Sequence, residues 1–232
     1  MLALQFTPLM LAALAAYIMC VCLHEFAHAL VAYWGGDRSV RDKGYLSLDP
    51  TRYIDPVFSL LIPAIVLMMG GFPLPGAAVQ INAGALRSER WNAYVSAAGP
   101  AMNFILFLLF AAPLHPVARL VDSYAASQPT WVYFLGAMST LNFIVTIFNL
   151  IPIPPLDGFG IIEHTFDHET RWKLHQPQVV WACFAGLMLF LFAIPGSMRP
   201  FVFMLEQMCA ALGLPVELLL AGYGVVFYNE SP

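Results

Sequence analysis

His24-Glu25-Phe26-Ala27-His28 lies inside a run, Thr7 to Val31, that is otherwise almost wholly Leu, Ala, Met, Ile, Val and Cys. A helix needs roughly 20 mostly apolar residues to cross a bilayer, and this run is long enough. Ionisable groups inside such a segment are costly and mark function by default. Helical geometry gives the histidines and Glu25 a shared reason, because residues four apart lie on one face and both imidazoles can point at one ion. Zinc accepts imidazole nitrogen and carboxylate oxygen, and His-Glu-x-x-His on a helix is a zinc-peptidase pattern. In that pattern Glu25 is no ligand; it stands beside the metal and takes a proton from water. The bland alternative is a pair of helix histidines hydrogen-bonded to neighbours. It loses weight in a membrane, where unpaired polar groups cost roughly several kcal/mol each.

The 232 residues are 60% hydrophobic and 10% charged, where a soluble domain has about 25% charged residues. That composition describes a polytopic membrane protein with no room for a large soluble domain. The net charge of −4 gives no ground for a nucleic-acid partner. Cys20 and Cys22 lie in the first apolar run, Cys183 and Cys209 in later ones; no C-x-x-C pair or disulfide framework is present. Cys20 falls on the face of His24 and is read as core packing, with a thiol near the metal as the minor alternative. The first basic residue is Arg38, so the first run lacks the basic start of a signal peptide and is read as a retained span.

Arg38, Arg41, Lys43 and Arg52 share the loop after Trp34-Gly35-Gly36. This marks the loop as cytoplasmic, with the N-terminus outside and the histidines toward the cytoplasmic end of their helix. Gly44 to Leu48 alternates and predicts a short strand. Val57 to Phe72 is apolar but short, with Pro63 inside it and basic flanks on both sides, which predicts a re-entrant segment. Val79-Gln80-Ile81-Asn82 alternates too and predicts an extended edge able to pair with a peptide. Ala93 to Leu114 and Trp131 to Leu150 are further spans. The first of these carries Gly99-Pro100-Ala101-Met102-Asn103, whose Asn103 is an amide in need of a partner. The second runs into Asn149-Leu150-Ile151-Pro152-Ile153-Pro154-Pro155-Leu156-Asp157-Gly158, where three prolines forbid helix interior. A catalytic zinc site keeps three protein ligands and one open position, and Asp157 is the best third ligand. An N-cap role for Asp157 is the competing reading. His164 and His168 repeat the four-residue spacing in a polar stretch, read as a solvated cytoplasmic face. Val179 to Pro195 predicts a fourth span, and Phe201 to Tyr223 a marginal last one.

Three ordered motifs, HEFAH, Gly99-Pro-x-x-Asn103 and Asn149 through Gly158, resemble the site-2 protease family of intramembrane zinc metalloproteases, most of all its minimal prokaryotic members without PDZ or CBS domains. The resemblance implies one zinc ion held by His24, His28 and Asp157, with Glu25 as general base. It implies substrate or oxyanion contacts at Asn103 and Asn149, while Val79, Gln80 and Ile81 are the candidate edge for an unwound substrate. Asp49, where minimal members usually carry Asn, and Phe159-Gly160 depart from the pattern without touching the metal. The expected fold is an all-α polytopic membrane bundle of about four to six transmembrane segments, with a re-entrant segment and short membrane-associated strands. It would form a single domain over 1–232, with its core at 7–160 and accessory segments at 161–232. The expected partners are the lipid bilayer and single-span membrane proteins, in a cell (inner) membrane, with the active site toward the cytoplasm. Two alternatives remain: a prenyl-protein type of protease using Glu206 as third ligand, and a catalytically silent membrane scaffold or chaperone that retains the zinc site.

Overall fold

The computed structural model describes residues 7–53, 79–121 and 128–228. Helix α1 spans Pro8–Gly35. Thr7 starts it by accepting the Met10 N–H on its hydroxyl at 3.1 Å, with Pro8 preset for the first turn. Gly36 ends it at φ +119°, the left-handed region glycine favours, and a Cβ there would sit 2.8 Å from the Ala85 carbonyl oxygen. The short helix α2, Ser39–Asp42, follows. Helix α3 runs from Glu89 to Ala111, α4 from Thr130 to Asn149, and α5 from Asp157 to Ile162. Helices α6 (His168–Leu174), α7 (Pro177–Ala193), α8 (Arg199–Leu212) and α9 (Val216–Tyr228) complete the described chain.

Among the described residues α1, α3 with the turn after it, and α4 are long and apolar enough to span a membrane. Helices α6 and α7, bent by 64° at their junction, make a fourth if taken as one span. The described residues thus hold three or four candidate spans, where four to six were expected. Helix α4 is the axis of the bundle. One of its faces packs Met138, Leu141 and Val145 against Tyr17 and Cys20 of α1, Leu106 of α3 and Tyr223 of α9. A second packs Val132 and Phe143 with Phe107, Leu205 and Leu219. Near its C-terminus Ile144 and Phe148 meet Leu156, Leu187, Leu191 and Phe201. The marginal segment Phe201 to Tyr223 is broken at Gly213, φ +69°, into α8 and α9. Helix α9 lies against α4 with glycines facing backbone: a Cβ on Gly222 would come within 2.5 Å of the Tyr133 carbonyl, and one on Gly136 within 2.5 Å of that of Leu218. Such close approach is how helices gain packing where lipid supplies no hydrophobic drive.

Among the described residues the expected membrane-associated strands do not form. Gly44 to Leu48 holds turns and a bend, and Val79 to Asn82 belongs to no helix or strand, with no strand partner among the described residues. Several backbone groups in these stretches bond instead to turns and to side chains. The Tyr45 N–H returns to the Val40 carbonyl, while Gln80 O and the Asn82 N–H bond to the side chains of Lys43 and Asp37. The predicted re-entrant segment, 57–72, lies outside the described residues.

Candidate metal centre

Helix α1 carries His24, Glu25 and His28, all buried. Both imidazoles are oriented by their far nitrogens. His28 Nδ1 donates to the Val95 carbonyl at 2.7 Å, and His24 Nδ1 lies 2.9 Å from Asn103 Oδ1, both on α3. Each Nδ1–H is thereby committed, which leaves each Nε2 a lone pair facing inward, the arrangement metal-ligating histidines use. Gly99 lies one helical turn from both Val95 and Asn103, on the same face of α3. A Cβ on Gly99 would be 2.2 Å from His28 Nε2 and 2.5 Å from His24 Nε2. The rings therefore occupy the space a side chain would take.

The third group arrives through a turn. Helix α4 stops at Asn149 because Pro152, Pro154 and Pro155 cannot continue it. The chain then doubles back so closely that a Cβ on Gly158 would be 2.3 Å from the Leu150 carbonyl oxygen. This turn brings Asp157, the first residue of α5, over the histidines. Its carboxylate makes no cap: the N-cap residue is Leu156, without a side-chain bond.

His24 Nε2 and His28 Nε2 are 3.0 Å apart, and Asp157 oxygens lie 3.3 Å from the first and 3.4 Å from the second. A tetrahedral zinc with bonds of about 2.0–2.1 Å holds its donors about 3.3 Å apart. Asp157 Oδ2 is a buried oxygen with no hydrogen-bond partner, and two inward lone pairs in contact repel unless a cation lies between them. The donor set therefore fits a zinc ion. Among the described residues it is the one group of His, Cys, Asp and Glu whose ligand atoms converge. His164 is exposed and bonded to the Ile161 carbonyl, Glu206 is exposed on α8, and Cys20 packs under the Asn142 amide at 3.6 Å.

Glu25 Oε2 accepts the Val79 N–H at 3.0 Å, so the extended piece predicted to lie near the site does touch it. Asn149 is buried with its Nδ2 unpaired. Val95 and Gly99 are the site residues sequence reasoning missed as contributors to ring placement. A backbone carbonyl leaves no residue-type signal, whereas Gly99 stood in a quoted motif and could have been read as close approach.

Over 178 residues, 77% of this chain and 66% of the relative, the sequence is 38% identical to a Mycobacterium tuberculosis protein provisionally named zinc metalloprotease Rip2. It is 34% identical to the Mycolicibacterium smegmatis protein of that name over 174 residues, 74% of this chain and 63% of the relative. The chain spans just under two thirds of the length of these Rip2 relatives. It is also 34% identical to Bacillus subtilis YwhC, provisionally named a zinc metalloprotease, over 167 residues, 69% of this chain and 72% of the relative. No solved structure matches the chain. The model of peptidase family M50 matches residues 113–193, the stretch that contains the Asp157 motif. A family match across the stretch that holds Asp157 and likeness over most of the Bacillus relative place the chain in peptidase family M50.

Proposed function

We propose that this chain is an intramembrane zinc metalloprotease that hydrolyses peptide bonds within or near the transmembrane segments of membrane proteins. The observation that carries the reading is the triangle of His24 Nε2, His28 Nε2 and Asp157 carboxylate, with sides of 3.0–3.4 Å and both Nδ1 atoms tied back. A bound zinc ion supplies Lewis acidity to the scissile carbonyl and to water. His24, His28 and Asp157 hold the ion. Glu25 takes the proton of the attacking water on its carboxylate and returns it to the leaving amine. Asn103 fixes the His24 ring, and Asn103 and Asn149 contact the substrate. The extended stretch Val79, Gln80 and Ile81 is the surface for an unwound substrate, held by main-chain hydrogen bonds. Substrates are single-span proteins, drawn from the surrounding cell (inner) membrane. The N-terminus lies outside, and the site opens toward the cytoplasm, from which water enters.

The test is cleavage of a mixed set of single-span peptides in detergent by wild type and Glu25→Gln, with zinc measured on both. Cleavage lost in the variant, by about a thousandfold or more for a proton-transfer group combined with water activation, with zinc retained is the expected result. Zinc in both and cleavage in neither would favour a silent scaffold. Wild type without zinc would overturn the reading.

A further inference from the structure

Among the described residues the stretch from Val79 to Asn82 has no ladder, yet it is tied at three of its four residues to α1 or to the segment through α2 that follows it. The Val79 N–H donates to Glu25 Oε2 at 3.0 Å. Lys43 Nζ donates to the Gln80 carbonyl at 2.8 Å. The Asn82 N–H donates to Asp37 Oδ2 at 2.7 Å. Asp37 is fully buried, and its other oxygen accepts the Ser39 N–H at 3.0 Å and the Ser39 hydroxyl at 2.6 Å. Val79 and Ile81 pack on the cluster of Ala29, Ala32 and Val40. Just beyond, the Arg87 N–H donates to the Gly35 carbonyl at 2.8 Å. The stretch is thus strapped across the C-terminal end of α1 by charged side chains at one end and by Glu25 at the other.

A glutamate beside a metal has rotatable bonds enough to swing onto the ion, where it would fill the open position and cease to be a base. A charge-assisted bond from a fixed amide holds it back. We propose that Asp37 and Lys43 are positioning residues: they clamp the strap 79–82 so that the Val79 N–H fixes one carboxylate oxygen of Glu25 and leaves the other for water. The proposal rests on the reading of Glu25 as the general base. A substrate that pairs with the strap would then meet a base already aimed.

The test has two arms on the full chain in detergent. Amide hydrogen exchange reads the clamp without any substrate. Asp37→Ala and Lys43→Met raise exchange across 79–82 by about tenfold or more, as a locally opened segment does. Asp37→Asn, whose single amide oxygen can still accept from Asn82 while its NH2 turns toward Ser39, lowers it part of the way back. Glu25→Ala raises exchange at Val79 alone. The second arm uses a single-span peptide that wild type cleaves. Asp37→Ala lowers kcat by about tenfold with KM within about twofold and zinc content unchanged, as misplacement of a catalytic group does, and Asp37→Asn recovers part of the loss. Unchanged exchange in Lys43→Met and Glu25→Ala overturns the clamp even if Asp37→Ala fails to fold. A kcat that falls only in step with zinc overturns the positioning role. Wild type that cleaves no peptide refutes the protease reading separately, while the exchange arm still decides the clamp.

Discussion

Gly99 shows how little space the proposed metal site spares. In an ordinary helix, alanine is better than glycine by about 1 kcal/mol, so Gly99→Ala should be a stabilising change by propensity. Here the added methyl would stand 2.2 Å from His28 Nε2, a distance no contact tolerates. One ring must rotate away, and its bond to Val95 or Asn103 is lost with it. Gly99→Ala is expected to lower bound zinc by at least about tenfold at limiting metal, in the range seen when ligand orientation is disturbed; metal analysis of the purified variant checks this. Asp37 gives a second prediction. Burial raises its pKa, but the Ser39 hydroxyl, the backbone N–H groups of Asn82 and Ser39, and the Lys43 charge outweigh it and hold the carboxyl below its usual value. A depressed native pKa means that the unfolded chain binds more protons in acid. The stabilisation is then complete above about pH 4 and is lost as pH falls through the native value. Melting temperatures of wild type and Asp37→Asn should therefore differ at pH 7 and converge on acidification below about pH 4. The residues that could be read from sequence were those with chemistry of their own: His24, Glu25, His28 and Asp157. Those that could not were groups acting through backbone, such as the Val95 carbonyl and the Val79 N–H.

At the scale of elements, apolar length read the spans well, and alternation read the strand pieces badly. The spans α1, α3 and α4 follow from unbroken apolar length, and the stop at Asn149 follows from three prolines. Tyr45 to Ser47 and Val79 to Asn82 alternate as strands do, yet they are tied by turns and charged side chains instead. Alternation reports that one side faces the core, which Val79 and Ile81 do; it does not report where the amides bond. The break at Gly213 was hidden for a different reason, since Glu206 and Pro215 blurred the apolar run without locating its end. The contact of α4 with α9 is where an element-level prediction is sharpest. Gly222→Ala places a methyl 2.5 Å from the Tyr133 carbonyl oxygen and 2.8 Å from the Ala137 nitrogen, while Gly136 sits on the other side of the same contact. Helix separation of this kind costs about 1–3 kcal/mol. Thermal unfolding in detergent should show Gly222→Ala lowered by several degrees, while Gly186→Ala, with nothing within 4 Å of its would-be Cβ, stays near wild type.

For the whole molecule the question is which end of the bundle faces the cytoplasm. The chain brings its basic residues together by contacts that do not depend on any membrane. Arg38, Arg41 and Lys43 follow the C-terminus of α1, and the Arg87 N–H bonds to the Gly35 carbonyl at that same end. Arg171 of α6 pairs with Glu89 at the start of α3 at 3.3 Å, and Asn92 Nδ2 donates to Glu163 Oε2 at 3.2 Å. The C-terminus of α1, the N-terminus of α3 and the C-terminus of α4 therefore form one basic end, and Asp157 lies at it. Arg119, beyond the last turn of α3, belongs to the opposite end, so the asymmetry is one of excess and not of exclusion. An excess of Lys and Arg in short loops orients spans with that end inward. Single cysteines at Lys43 and at Gln128, in a background with the four native cysteines replaced, should be labelled from opposite sides. A membrane-impermeant maleimide on intact cells should reach position 128 and reach position 43 only after the membrane is opened. Labelling of position 43 from outside would put the metal site at the wrong face for cytoplasmic water, and the orientation, though not the zinc chemistry, would have to be abandoned.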